Sequence, residues 1–176
     1  MQDQILFIEM VPTPIWGVSL RRHLPRSAWN RLRQAVLEDC EYRCEVCGAD
    51  ISGKRQAVAD EVWNYHTDRS PAVAELYDIQ GVCMRCDRIK HLGLTSALIG
   101  QGHMAADYMD ELRAHFCKVN GASEEEFEYQ RGMEFAVQAQ LSQHDWTVDW
   151  GEYEELVPEA VLGQVFSQDR KPTYPA

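Results

Sequence analysis

Two cysteine pairs, Cys44-Glu-Val-Cys47 and Cys83-Met-Arg-Cys86, constrain this chain more than any other feature. Each pair spaces two thiols so that their sulfurs can take adjacent corners of a tetrahedron. Two such bites, with 35 residues between them, supply the four thiolates of a closed structural zinc site. A closed site leaves no position for water, so its metal holds the fold and does no chemistry. Gly48, directly after the first pair, lets the chain turn back under the metal. A redox role suits a single CxxC, but two of them around a β-like segment favour metal. Cys40 and Cys117 fall outside the motif and read as small buried side chains.

At 176 residues the chain suits one domain, or a small zinc module wrapped by helices, and 45% hydrophobic content is enough for a core. No apolar run approaches the ~20 residues that span a bilayer. The start, MQDQILFIEM, has no basic stretch and does not read as a secretion signal. A reducing, cytoplasmic setting is expected, where cysteine pairs mean metal rather than disulfides.

The net charge of −11 is uneven. Residues 121–160 hold 11 acids and one arginine, whereas residues 19–33 hold Arg21, Arg22, Arg26, Arg31 and Arg33 and no acid. The arginines are candidate phosphate contacts. The acidic segment points to a protein partner and repels nucleic acid at long range. For both clusters the plain alternative is a solvated surface.

The expected fold class is α+β. QILFIEM (4–10) reads as a strand, and Ser27 as the N-cap of a helix to about Asp39. Two β-like stretches, 57–66 and 75–83, flank an Asp68-Arg-Ser-Pro71 loop, and CDRIKHLG reads as a short helix ending near Gly93. A helix is expected over 103–121, then a second one capped by Ser123 and Glu126, with Phe127, Met133, Val137 and Leu141 in the core. The segments are therefore 1–40 (strand and helix packing on the core), 41–95 (zinc module), 96–160 (helical region with an acidic face) and 161–176 (flexible tail).

With these residues placed, the chain resembles a small HNH endonuclease-like family of bacteria and phages. The matching residues are Pro14, Trp16-Gly17, Leu20-Arg21, Trp29, Cys44-x2-Cys47-Gly48, Glu61-Val62-Trp63, the second CxxC and Lys90-His91-Leu-Gly93. Val119-Asn120 and Gln143-His144-Asp145-Trp146 also match, so the resemblance covers about residues 11 to 150. It implies a zinc-stabilised ββα-metal core with flanking helices, in a bacterial or phage-infected cell. It also marks departures: Asp60 stands where the family has its general-base histidine, Asp78 where an asparagine orients that base, and Asp87 where a histidine binds metal. Only His91 remains of the histidine set.

A one-metal nuclease needs a divalent ion and a base that titrates near neutrality. Asp87 and His91, four residues apart on one helix face, suit the first need with Mg²⁺ or Mn²⁺, and Asp60 can complete that second metal site. Asp60 is a poor base, with an ordinary pKa near 3.9, and losing a general base costs about 10²–10⁴ in rate. His66 is roughly 20 Å away along an extended strand, too far to replace it. The expectation is a zinc-binding, catalytically inactive HNH-like protein that binds a protein, for instance as an inhibitor or DNA mimic of a nucleic-acid-handling enzyme. The alternative is a metal-dependent DNA endonuclease using Asp60, Asp87 and His91.

Overall fold

The protein is mixed α+β, and the computed structural model describes residues 5–53 and 56–171. A short turn of helix, α1 (Leu20–His23), precedes α2 (Arg26–Asp39). Strands β1 (Ala57–His66) and β2 (Ala72–Cys83) pair antiparallel and run straight into α3 (Met84–Lys90). Then come α4 (Leu92–Gly100), α5 (Tyr108–Asn120), α6 (Glu124–Leu141), β3 (Trp146–Asp149) and β4 (Val165–Phe166). The sheet order is β1-β2-β3-β4, with β3 parallel to β2 and β4 antiparallel to β3. Among the described residues no helix is long and apolar enough to cross a membrane.

Local chemistry explains the boundaries. The 12-residue β2 starts three residues before the expected stretch because Ala72, Val73 and Ala74 pair with Trp146, Thr147 and Val148. That parallel pairing is set 74 residues away and has no local signal. Pro25 takes the N-cap position of α2 with φ −54°, and Ser27 lies inside the helix. The helix expected to end near Gly93 instead breaks at His91 (φ −97°, ψ 44°), and Gly93 belongs to α4. A Cβ at Gly93 would lie 2.8 Å from Met10 Cε, so the glycine serves close packing rather than termination. The helix expected from residue 103 starts at Tyr108; Gly121 ends it at φ 62°, in the left-handed region. The Ser123–Glu126 capping box forms as expected.

The core has several centres. Around the cysteines pack Leu6 and Ile8, Leu37, Ile89, Leu112, Phe116 and Phe127, so one cluster draws on the N-terminal, middle and C-terminal segments alike. Trp29, Leu76, Ile79 and Trp150 form a second cluster, and Ala74, Trp146 and Phe166 a third. Phe127 is fully buried against Phe116, with ring centroids 5.1 Å apart, but Met133 and Val137 are exposed at 48% and 38%. Helical periodicity puts Met133 and Val137 on a common face; it does not say whether another element covers that face.

Both chain ends differ from expectation. Gln4 lies outside the described residues, and residues 5–10 form no strand, although Leu6, Ile8 and Met10 alternate inward. Their backbone is held by side chains and a helix end instead of a neighbouring strand. The Asn120 carboxamide accepts from the N–H groups of Ile5 (3.1 Å) and Leu6 (2.9 Å) and donates to the Leu6 carbonyl (2.8 Å). Glu9 N–H donates to the Lys90 carbonyl at 2.8 Å. Within the segment expected as a flexible tail, 161–176, Val165 and Phe166 extend the sheet, and Arg170 Nη1 donates to the Pro14 carbonyl at 2.5 Å. Residues 172–176 lie outside the described residues.

The clamp yields a prediction. Asn120→Ala removes three hydrogen bonds and should destabilise the fold by about 1–3 kcal/mol. Limited proteolysis should then cut first before residue 10; an unchanged urea midpoint and cleavage pattern would contradict the clamp.

Candidate metal centre and adjoining acidic cleft

The first cysteine pair sits in a tight turn after α2. Glu41 and Tyr42 take positive φ (51° and 54°), reversing the chain so that Ile51 N–H donates to the Tyr42 carbonyl at 2.8 Å. Gly48, at φ 71°, closes the turn under Cys44 by donating to its carbonyl at 2.8 Å. Glu45 fastens this turn to β2: its N–H donates to the Gly81 carbonyl (3.0 Å), and its carboxylate accepts from Gly81 N–H (2.5 Å). The second pair needs no separate loop. Cys83 ends β2 and is the N-cap of α3, and Cys86 lies in the helix.

The ligating sulfurs of Cys44, Cys47, Cys83 and Cys86 all lie within 4.8 Å of one another and form no disulfide. Cys47 Sγ and Cys83 Sγ are 3.7 Å apart. A regular tetrahedron with metal–sulfur bonds of ~2.3 Å has edges of ~3.8 Å, so this spacing fits a four-thiolate site for an ion such as zinc. Cys47 N–H approaches Cys44 Sγ at 3.5 Å and Cys86 N–H approaches Cys83 Sγ at 3.4 Å, the backbone support that a ligating sulfur would need. Burial pushes the Cys47 thiol up to about 11, with repulsion from Cys44 and Cys83 adding to it. Four crowded sulfurs cannot all ionise without a cation among them.

On the far side of α3 is a second cluster. Donor atoms of Asp60, Asp87 and His91 also lie within 4.8 Å of one another, as a bound ion would require. Asp60 and Glu61 are neighbours on β1, so their side chains leave opposite faces of the strand, yet both are buried, at 3% and 9% exposure. Asp60 is therefore an interior residue. Asp78, in the orienting asparagine's place, is outside the cluster; its carboxylate accepts from Ile79 N–H at 2.7 Å. His66 is also elsewhere, 2.9 Å from Glu75.

Both Asp60 oxygens are engaged. Oδ1 is 2.7 Å from His91 Nε2, and Oδ2 is 2.7 Å from Lys90 Nζ, an ion-pair contact not aligned as a hydrogen bond. Lys90, 2% exposed, also reaches Glu9 at 3.2 Å and Gln80 at 3.3 Å. Burial works to raise the Asp60 carboxyl, but the His91 bond and the charges of His91 and Lys90 outweigh it and hold it below the ordinary range. Burial likewise opposes an imidazolium at His91, but the Asp60 bond and the carboxylates of Asp60, Asp87 and Glu9 push it up to about 9. Burial raises Asp87, offset in part by His91.

A cleft of about 560 Å³ runs along β1, lined by Trp16, Arg21, Arg22 and Trp63 as well as by Asp60, Glu61, Asp87 and His91. Of the five arginines, only Arg21 and Arg22 reach it. Arg22 is held over Gly17, where a Cβ would lie 2.8 Å from its Nη1. Arg26 and Arg31 are exposed outside the cleft lining, and Arg33 Nη2 donates to the Ala57 carbonyl at 2.7 Å. Sequence reasoning missed the roles of Glu9, Glu61 and Lys90. Nothing local marks Glu9, whose partner is 81 residues away. Glu61 and Lys90 were visible as matched residues, but not their burial.

The chain matches no family model, no curated protein and no solved structure.

Two predictions rest on this geometry. Cys83→Ser should be severe, because structural zinc binding is worth roughly 10–16 kcal/mol in small peptides. Metal analysis and chelator-induced unfolding check it; an undisturbed fold in the variant would contradict the four-sulfur site. The second concerns Glu61, whose Oε1 accepts from Arg21 N–H at 3.2 Å while its buried Oε2 has no hydrogen-bond partner. Burial pushes this carboxyl up to about 7 from 4.5. The folded state thus binds the proton more tightly, and the stability it contributes is full below about pH 4.5 and lost as pH rises through about 7. Between pH 5 and 8 the stability of Glu61→Gln should rise relative to wild type by up to about 3 kcal/mol. Denaturant melts at the two pH values measure this, and a pH-independent difference would contradict it.

Proposed function

We propose that this chain is a zinc-stabilised protein of HNH-like, ββα-metal build that acts by binding and does not cut nucleic acid. The observation that carries the reading is the engagement of Asp60, with Lys90 Nζ and His91 Nε2 each 2.7 Å from one of its oxygens. Water activation at that position needs a free, basic lone pair. This carboxylate has two cationic partners and a depressed pKa, so it is a weaker base than an ordinary aspartate. Lys90 and His91 also place two cationic groups beside the carboxylates of Asp60, Asp87 and Glu9, which reduces the local need for an added cation.

The partner we propose is a protein with a basic surface, such as a nucleic-acid-handling enzyme whose groove an acidic face can occupy. Asp149, Glu152, Glu154, Glu155 and Glu159 are exposed and form no ion pair among the described residues, and no lysine or arginine lies between Arg131 and Arg170. The segment begins beside the cleft, where Trp150 packs on Trp63 with centroids 5.8 Å apart. Its charge disfavours phosphate.

The second reading, a metal-dependent endonuclease, is supported by the grouping of the Asp60, Asp87 and His91 donor atoms within 4.8 Å. Those residues would hold Mg²⁺ or Mn²⁺, which would neutralise a phosphate and its leaving oxygen. The ion would have to displace the His91 proton and compete with Lys90. Plasmid nicking separates the readings. The native chain should be inert at micromolar concentration with either metal, and Asp60→His with Asp87→His should restore metal-dependent nicking. Native nicking that disappears in Asp87→Ala and His91→Ala would establish the nuclease instead.

A further inference from the structure

α5 brings one more polar group to the sulfur cluster. His115 Nε2 lies 3.3 Å from Cys86 Sγ, across 29 residues of sequence. Cys86 is fully buried and His115 half-buried, so this edge of the cluster is shielded from water by a side chain able to donate an N–H. Four thiolates around a divalent ion carry two excess negative charges, and in a buried site those charges must be met by donors from the protein. The backbone supplies N–H groups to Cys44 and Cys83 from within their own knuckles. For Cys86 the donor comes from a different helix.

We propose that His115 is a fifth member of the metal centre, a hydrogen-bond donor to the Cys86 thiolate that fixes α5 onto the ligand shell. This rests on reading the four cysteines as a zinc site. In the tautomer with the proton on Nε2, His115 donates to Cys86 Sγ; it bonds to the sulfur, not to the metal, and is a positioning residue. The neighbouring Phe116 and Leu112 are fully buried, so core packing brings α5 against the cluster and the bond secures its final position. Capture of the metal and final docking of α5 then reinforce each other. The same helix carries Asn120, so zinc loss should also loosen the grip on Ile5 and Leu6.

The test uses the full chain and three proteins: wild type, His115→Phe, which keeps a ring but no donor, and His115→Gln, which keeps a donor at similar reach. Zinc affinity is measured by competition with a chromogenic chelator, and the thiolate-to-metal charge-transfer band after cobalt substitution reports directly on the sulfurs. Outer-shell partners typically contribute 10–100-fold in metal affinity, so His115→Phe should bind zinc roughly 10–100-fold more weakly and shift the cobalt band, while His115→Gln recovers most of both. His115→Phe within about twofold of wild type, with an unmoved band, would overturn the proposal. So would equal losses in the two variants, since ring shape rather than the donor would then matter. A wild-type chain that holds neither zinc nor cobalt would refute the zinc reading itself, an outcome distinguishable from failure of the His115 role alone.

Discussion

The clustering of four sulfurs around one point fixes where α3 lies, and α3 carries nearly everything else of interest. Its seven residues, Met84–Lys90, follow a cysteine of the four-sulfur cluster and end at a buried lysine. Cys86 belongs to the sulfur cluster, Asp87 and the capping residue His91 line the cleft along β1, and buried Lys90 meets Asp60. A helix this short has no stability of its own. Its placement depends on the thiol cluster at its start, on fully buried Ile89 within it and on fully buried Leu92 at the start of α4. The candidate metal centre and the cleft therefore meet at one element.

The Lys90–Asp60–His91 arrangement has a consequence for both stability and chemistry. Buried ion pairs are weak sources of net stability, but breaking one strands an uncompensated charge. Asp60 at 3% exposure needs its partners, and Lys90 at 2% needs Asp60 and Glu9. Each contact that stabilises Asp60 as a carboxylate also weakens it as a base. Glu61, next along the strand, has the opposite environment: it is buried with one unpartnered oxygen, and its carboxyl is pushed up to about 7. Adjacent carboxylates thus behave differently because alternation along β1 sends them to different neighbours.

The acidic segment and the arginines show how a charge pattern divides in three dimensions. Five arginines within 15 residues read as one patch, yet only Arg21 and Arg22 face the cleft, and Arg33 is committed to the Ala57 carbonyl. Part of the acidic run is similarly spoken for, since Arg113 pairs with Glu124 and Glu128. The carboxylates at 149–159 face solvent without an ion pair among the described residues, as do Glu125 and Asp145.

The sequence by itself determined the features whose physics is local. CxxC spacing sets a two-sulfur bite, the Ser123–Glu126 box starts a helix, Gly121 ends one, and Asp87 and His91 share a face because a helix repeats near every fourth residue. Tertiary structure decided what depends on partners distant in the chain. Residues 5–10 form no strand because Asn120 and Lys90, not another strand, meet their backbone. Met133 and Val137 are exposed because no element among the described residues covers that face of α6, and Phe166 is buried because β4 found β3. Asp60 became a carboxylate held between two cations only when α3 was folded against β1. Chain-local spacing constrains geometry over a few residues, whereas burial and charge pairing are set by which surfaces meet.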